Sequence, residues 1–171
     1  MKTIKIILII ISLCIVTFLA TGLIVKETNY TASITIDKSI EKVFHNFMKI
    51  DSTKNWIPEI QTIETVVKNP SITGSTYNIV ILNNEQTFKM TQKIMAYIPN
   101  EKATFFYDAE NMLKKDDFVF TQENNKTTIT LNANCQSDSY IMACIFPYFK
   151  GTFKEQSELH LSNFKTYIEG L

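Results

Sequence analysis

The chain of 171 residues suits one domain of ordinary size, and its 17 Lys balance 17 acidic residues with no Arg at all. Arg is the usual bidentate reader of phosphate and guanine, so no nucleic-acid partner is expected. Gly occurs only at positions 22, 74, 151 and 170, which excludes a phosphate loop, a dinucleotide fingerprint and a nucleophile elbow.

Residues 6–25 carry no charge and are long enough to cross a bilayer as a helix of about 30 Å. Lys2 and Lys5 precede them. A cleaved signal peptide normally has a shorter apolar region. The weak cleavage motif Ala20-Thr21-Gly22 is enclosed within the run, and Leu13 stands where lipoprotein processing at Cys14 would need a small residue. The expectation is an uncleaved transmembrane anchor over 1–26 and a domain over 27–171. The short two-Lys N-terminus is expected to stay in the cytoplasm, with the domain outside, although Lys26, Lys38 and Lys42 follow the run closely. Beyond residue 25, 15 Lys face 17 acids, so no polyanionic partner is implied.

Residues 29–37 alternate as a strand. Ser39 is placed to cap a helix whose apolar face is Ile40, Val43, Phe44, Phe47 and Ile50. A polar turn over 51–56 ends at Pro58. The chain then reads as strands over 60–68, 75–82, 86–98, 102–108, 113–122 and 126–136, with turns at Asn69-Pro70, Asn83-Asn84, Pro99-Asn100 and Asn124-Asn125. In the last strand Ile129, Leu131, Ala133 and Cys135 alternate with polar residues, as in an antiparallel sheet with one wet face. Residues 140–149 are apolar but interrupted by Pro147, and read as a connector with one helical turn. Thr152 and Glu155 have capping-box spacing, and Gly170 stands where a C-cap glycine belongs. Between them Phe153, Leu161, Phe164 and Ile168 recur at helical intervals over about 17 residues. The simplest packing is a curved sheet wrapped around this last helix.

Titratable groups offer little chemistry at this level. The two His are 115 positions apart, so no His-based metal centre is expected. His45 reads as solvated, and His160 as a satisfied or exposed neighbour of the apolar stripe. Glu64, Asp116 and Asp117 read as solvent-facing strand carboxylates. Cys135 and Cys144 lack CxxC spacing; a bridge between them would require export, and isolated buried thiols are the ordinary alternative.

Several segments in order resemble the polyketide cyclase/dehydrase and lipid-transport proteins of the START/Bet v 1-like (SRPBCC) superfamily. They are Ile34-Thr35-Ile36-Asp37-Lys38-Ser39 with Ile40-Glu41-Lys42-Val43-Phe44, then Trp56-Ile57-Pro58, Ile63-Glu64 and Gly74-Ser75. The strand Lys126-Thr127-Thr128-Ile129-Thr130 and the helix end Phe164-Lys165 with Ile168-Glu169 complete the set. The resemblance spans about residues 30–170. It implies an α+β helix-grip fold, a curved seven-stranded antiparallel sheet around a long C-terminal helix, preceded here by the transmembrane helix. It also implies an apolar cavity for a hydrophobic small molecule or lipid, with cyclase or dehydratase chemistry as the alternative. The family has no universal catalytic signature, so no catalytic residue, cofactor or metal is assigned. A filled core without ligand is the third reading. The ligand-lining candidates are Trp56, Tyr77, Phe88, Met90 and Phe105, together with Tyr107, Phe118, Phe120 and Phe164.

Overall fold

The computed structural model describes residues 2–83 and 85–171; Asn84, half of the predicted Asn83-Asn84 turn, lies outside them. Helix α1 (Lys2–Ile24) leads into β1 (Thr28–Ile36), α2 (Ile40–Phe47) and a 3-10 turn (Ile50–Asn55). Six strands follow: β2 (Ile60–Val67), β3 (Thr76–Asn83), β4 (Gln86–Ile98), β5 (Lys102–Ala109), β6 (Met112–Glu123) and β7 (Lys126–Gln136). The chain closes with α3 (Tyr140–Ile145), a second 3-10 turn (Phe146–Phe149) and α4 (Lys150–Glu169).

All pairings are antiparallel, and the seven-stranded sheet has the order β1-β7-β6-β5-β4-β3-β2. After β1 the chain crosses to the far edge through α2 and returns by hairpins until β7 lies beside β1. The β6–β7 hairpin has two residues, Asn124 and Asn125, both at positive φ (48° and 61°), a geometry that Asn tolerates and that matches the twist of the strands. Register shifts occur between Ile94 and Ala96 and along β2, and irregularities of this kind bend a strand and increase its twist.

The core is the concave face of this sheet covered by α2 and α4. Leu161, Phe164 and Ile168 of α4 are buried, as are Ala32, Ile36, Ile129 and Leu131 on β1 and β7. Ser157 continues the same helical stripe, and its hydroxyl lies 3.0 Å from that of Tyr30 on β1. Phe47 anchors α2 by edge contacts with Phe118, Phe120 and Phe164.

Three local expectations require correction. The connector 140–149 is helical throughout, because Pro147 sits in the first positions of a 3-10 turn, where its missing N–H costs nothing. That turn runs directly into α4, so the helix begins at Lys150 without a side-chain cap, and Thr152 is an exposed interior residue. Gly170 does stand at the C-cap of α4, as expected, but its φ of −79° is open to any residue, so the cap is not the left-handed kind that favours glycine. Ser39 does occupy the N-cap of α2, though its side chain makes no capping bond. Cys135 and Cys144 are both free and buried.

A candidate ligand cavity with a charged row in its wall

A cavity of about 210 Å³ lies between the concave face and α4. Its walls come from the 3-10 turn after α2, from strands β2 to β7 and from α4. The volume is below the roughly 300–1,000 Å³ of sites for drug-sized ligands.

Strand alternation decides which side chains reach it. On β6, Met112, Lys114, Asp116, Phe118 and Phe120 point inward, while Lys115 is exposed and Asp117 turns outward to meet Lys102 at 3.0 Å. The reading of Asp116 as a solvent-facing carboxylate is therefore overturned: the residue is only 4% exposed. The pleat separates the two adjacent carboxylates, and the inward one needs a partner. Lys114, two residues earlier on the same face, donates to Asp116 Oδ2 at 2.7 Å. Among the described residues the other oxygen, Asp116 Oδ1, is buried without a hydrogen-bond partner, as is the indole Nε1 of Trp56.

The pairing register extends this into a row across the sheet. Tyr77 pairs with Gln92, Gln92 with Tyr107, Tyr107 with Lys114, and Lys114 with Cys135. The adjacent row contains Ile94, Phe105, Asp116, Ala133 and Tyr30. A polar band thus crosses an otherwise apolar face. Lys114 Nζ stands 5.8 Å from the Tyr30 ring centroid and 5.9 Å from that of Tyr107, a cation–π arrangement. Burial alone would lower the Lys114 pKa, but the Asp116 charge and the two tyrosines outweigh it and raise it. Burial raises the Tyr107 and Tyr30 phenols, with Lys114 opposing. It also pushes the Cys135 thiol up to about 11, which keeps it protonated and unreactive. At neutral pH the cluster therefore holds an ammonium at Lys114 and neutral phenols at Tyr30 and Tyr107.

At another part of the wall, His160 Nε2 lies 2.8 Å from Gln156 Nε2 and 3.4 Å from Glu59 Oε2. Burial lowers the His160 pKa, with Glu59 opposing. The folded state therefore favours neutral imidazole. The associated stability is complete above the unfolded value of about 6.5 and is lost as pH falls from there toward the lower folded pKa. Denaturant midpoints recorded from pH 7.5 to 5 should show this acid loss in the wild type and a smaller one in His160→Gln. Parallel curves would remove His160 as its source.

Of the nine aromatic and Met candidates, Trp56, Tyr77, Met90, Phe105, Tyr107 and Phe118 border the cavity. Phe88 shares a strand face with Met90 but lies one pleat closer to the β3–β4 hairpin, beyond the cover of α4, and is 45% exposed. Phe120 is consumed in packing against Phe44 and Phe47, and Phe164 stands behind Trp56 with ring centroids 5.2 Å apart. Lys114, Asp116 and Gln92 are the additions that the sequence reading did not include. Their signal was present: Asp116 and Lys114 lie two and four positions before Phe118, and Gln92 lies between Met90 and Ile94 at the same spacing of two.

No family model matches the chain, and no curated protein matches it in sequence. Solved structures do match in shape. A START superfamily protein from Mycobacterium smegmatis superposes with a TM-score of 0.69 at 10% identity, covering 83% of this chain and 97% of that one. The Zhui aromatase/cyclase from Streptomyces sp. R1128 gives 0.67 at 9% identity, with 84% and 94% covered. The structure of Ara h 8.0201 gives 0.67 at 14% identity, with 85% and 99% covered. At these identities the likeness is one of fold: a seven-stranded antiparallel sheet curved around a long C-terminal helix, the Bet v 1/START helix grip, here with an apolar helix before it.

Proposed function

We propose that this domain binds one compact hydrophobic molecule with a polar end in the cavity beneath α4, and that α1 holds it at a membrane, on the outer side. The observation that carries the reading is the Lys114–Asp116 pair, set in a mainly apolar wall that includes Phe105, Phe118, Met90 and Ile94. A guest whose polar end settles against the pair would meet the Lys114 ammonium, whose side chain keeps 20% of its surface exposed, while its body covers the aromatic wall. The volume favours a single ring or a short chain over a whole diacyl lipid. Structural neighbours named as START and aromatase/cyclase proteins agree with this use of the fold. For α1 the support is its length of 23 residues, an 18-residue stretch of mean hydropathy 2.8 within it and the absence of any buried residue.

The same charged row favours a second reading, acid/base chemistry on the guest. Lys114, Tyr30 and Tyr107 are held protonated and could donate to a carbonyl oxygen as charge develops there.

One experiment addresses both. Native mass spectrometry of the gently extracted chain should show a copurifying apolar molecule. Displacement of an environment-sensitive fluorescent fatty acid then measures affinity. Phe118→Trp adds bulk to the cavity and should weaken binding about tenfold, equivalent to 1.4 kcal/mol. A folded variant with unchanged affinity removes Phe118 from the site. Wild type that binds no apolar probe supports a filled core. A mass change in the recovered guest marks turnover.

A further inference from the structure

The end of α1 is packed against the domain. Phe18 stacks on Tyr148 with ring centroids 6.3 Å apart, and Thr21 Oγ1 lies 3.0 Å from the Tyr148 hydroxyl. The Tyr140 hydroxyl donates to the carbonyl of Leu19. Gly22 faces Cys144 so closely that a Cβ there would meet Sγ at 2.5 Å. A residue without a side chain at such a crossing lets two helices approach.

These contacts fall inside the apolar run. A crossing needs about 20 apolar residues to match a hydrocarbon core of about 30 Å, and the uncharged run of 6–25 has none to spare. Phe18 precedes Val25 by about 10 Å along a helix rising 1.5 Å per residue. Were the contacts at 18–22 in water, residues 6–17 alone would have to cross, and they reach only about 18 Å. A full crossing by α1 therefore carries α3 and its 3-10 turn down to the bilayer surface.

The surface of that segment suits the position. No charged residue occurs between Asp138 and Lys150. Ile141 and Tyr148 are 61% and 62% exposed, and Tyr140 and Phe149 are also exposed, while Cys144 and Phe146 turn inward and are buried. Phe146 meets Phe153 of α4 edge-on at 5.5 Å, which ties the segment to the gripping helix. Exposed Tyr beside apolar side chains is the composition of a membrane interface.

We propose that residues 140–149 lie embedded in the interface of the bilayer that α1 spans, so that the domain is docked on lipid rather than hung from a tether. The inference rests on the membrane reading of α1 given above and is independent of what the cavity binds.

The test uses the full chain in phosphatidylcholine/phosphatidylglycerol vesicles whose lipids are brominated near the interface or left unmodified. Trp56, inside the domain, is the internal reference. Ile141→Trp and Tyr148→Trp should each lose about half of the added emission to brominated lipid, since interfacial segments sit about 5–10 Å into the headgroup and acyl boundary. Leu171→Trp, at the far end of α4, should lose little. Val16→Trp, at the midpoint of the run and 62% exposed, paired with lipids brominated deep in the chain, reports the anchor. If Val16→Trp is quenched while neither Ile141→Trp nor Tyr148→Trp is, the docking is overturned and the anchor stands. If Val16→Trp is not quenched, both fall. Two reporter positions protect the result against one variant that misfolds.

Discussion

Phe164→Ala should destabilise the domain by about 3–5 kcal/mol, the range for deleting a large aromatic side chain from a well-packed core. Phe164 is wholly buried, and its ring meets Phe47 and Trp56 edge-on with centroids 5.2 Å from each. Those contacts join α4 to α2 and to the turn carrying Trp56, so nothing nearby can collapse to fill the space without moving an element. For a domain of this size the loss corresponds to a fall of about 6–20 °C in Tm. Leu159→Ala, on the exposed side of the same helix, should stay within about 0.5 kcal/mol. A cost below about 1 kcal/mol for Phe164→Ala would mean that α4 does not grip the sheet through this residue.

The second large effect is expected at the charged row. Lys114→Met should cost about 3 kcal/mol, because it leaves the Asp116 carboxylate buried without its cation. The low end of the usual 3–5 applies, since the Lys114 side chain keeps 20% of its surface exposed and Asp116 only 6%. Adding Asp116→Leu in the same chain should recover most of the loss, because an apolar pair removes the uncompensated charge. Both chains should lose affinity for the guest, which separates the site's role from its stability. The pH dependence has a definite sign. A lysine whose folded pKa is raised contributes stability that is complete below the unfolded value of about 10.4 and lost as pH rises above it. Between pH 6 and 9 the Lys114→Met deficit should therefore stay constant, and above about 10.5 it should shrink. A double variant no more stable than Lys114→Met would show that Asp116 is not the group left stranded.

Much of this architecture was legible in local pattern. The limits of β4 and β7 match the predicted strands, because a period of two and turn-forming Asn are properties of a few consecutive residues. The uncharged run of 6–25 was equally plain, since the absence of charge over twenty positions needs no partner to interpret. The order of strands and the apolar stripe of the last helix led to a sheet wrapped around that helix, and the structure has it. The helix boundary at Lys150 was not legible, because a preceding 3-10 turn replaces the expected cap.

What the tertiary structure alone decided was where the inward-facing residues end up. Alternation puts Phe88 with Met90, and Phe118 with Phe120, yet only Met90 and Phe118 border the cavity. The difference lies in how far α4 and α2 cover the sheet, which no strand encodes. Lys114 and Asp116 were on the face of Phe118 by the same spacing, but charge by itself argues for solvent. Only the register that sets Tyr107 beside Lys114, and the fold that brings Ser157 of α4 over Tyr30, gives an inward charge its neighbours. The seat of Gly22 against Cys144 joins residues more than a hundred positions apart. Periodicity describes neighbours along the chain; contacts of that range depend on the path of the whole backbone, so they become visible only once the chain is folded.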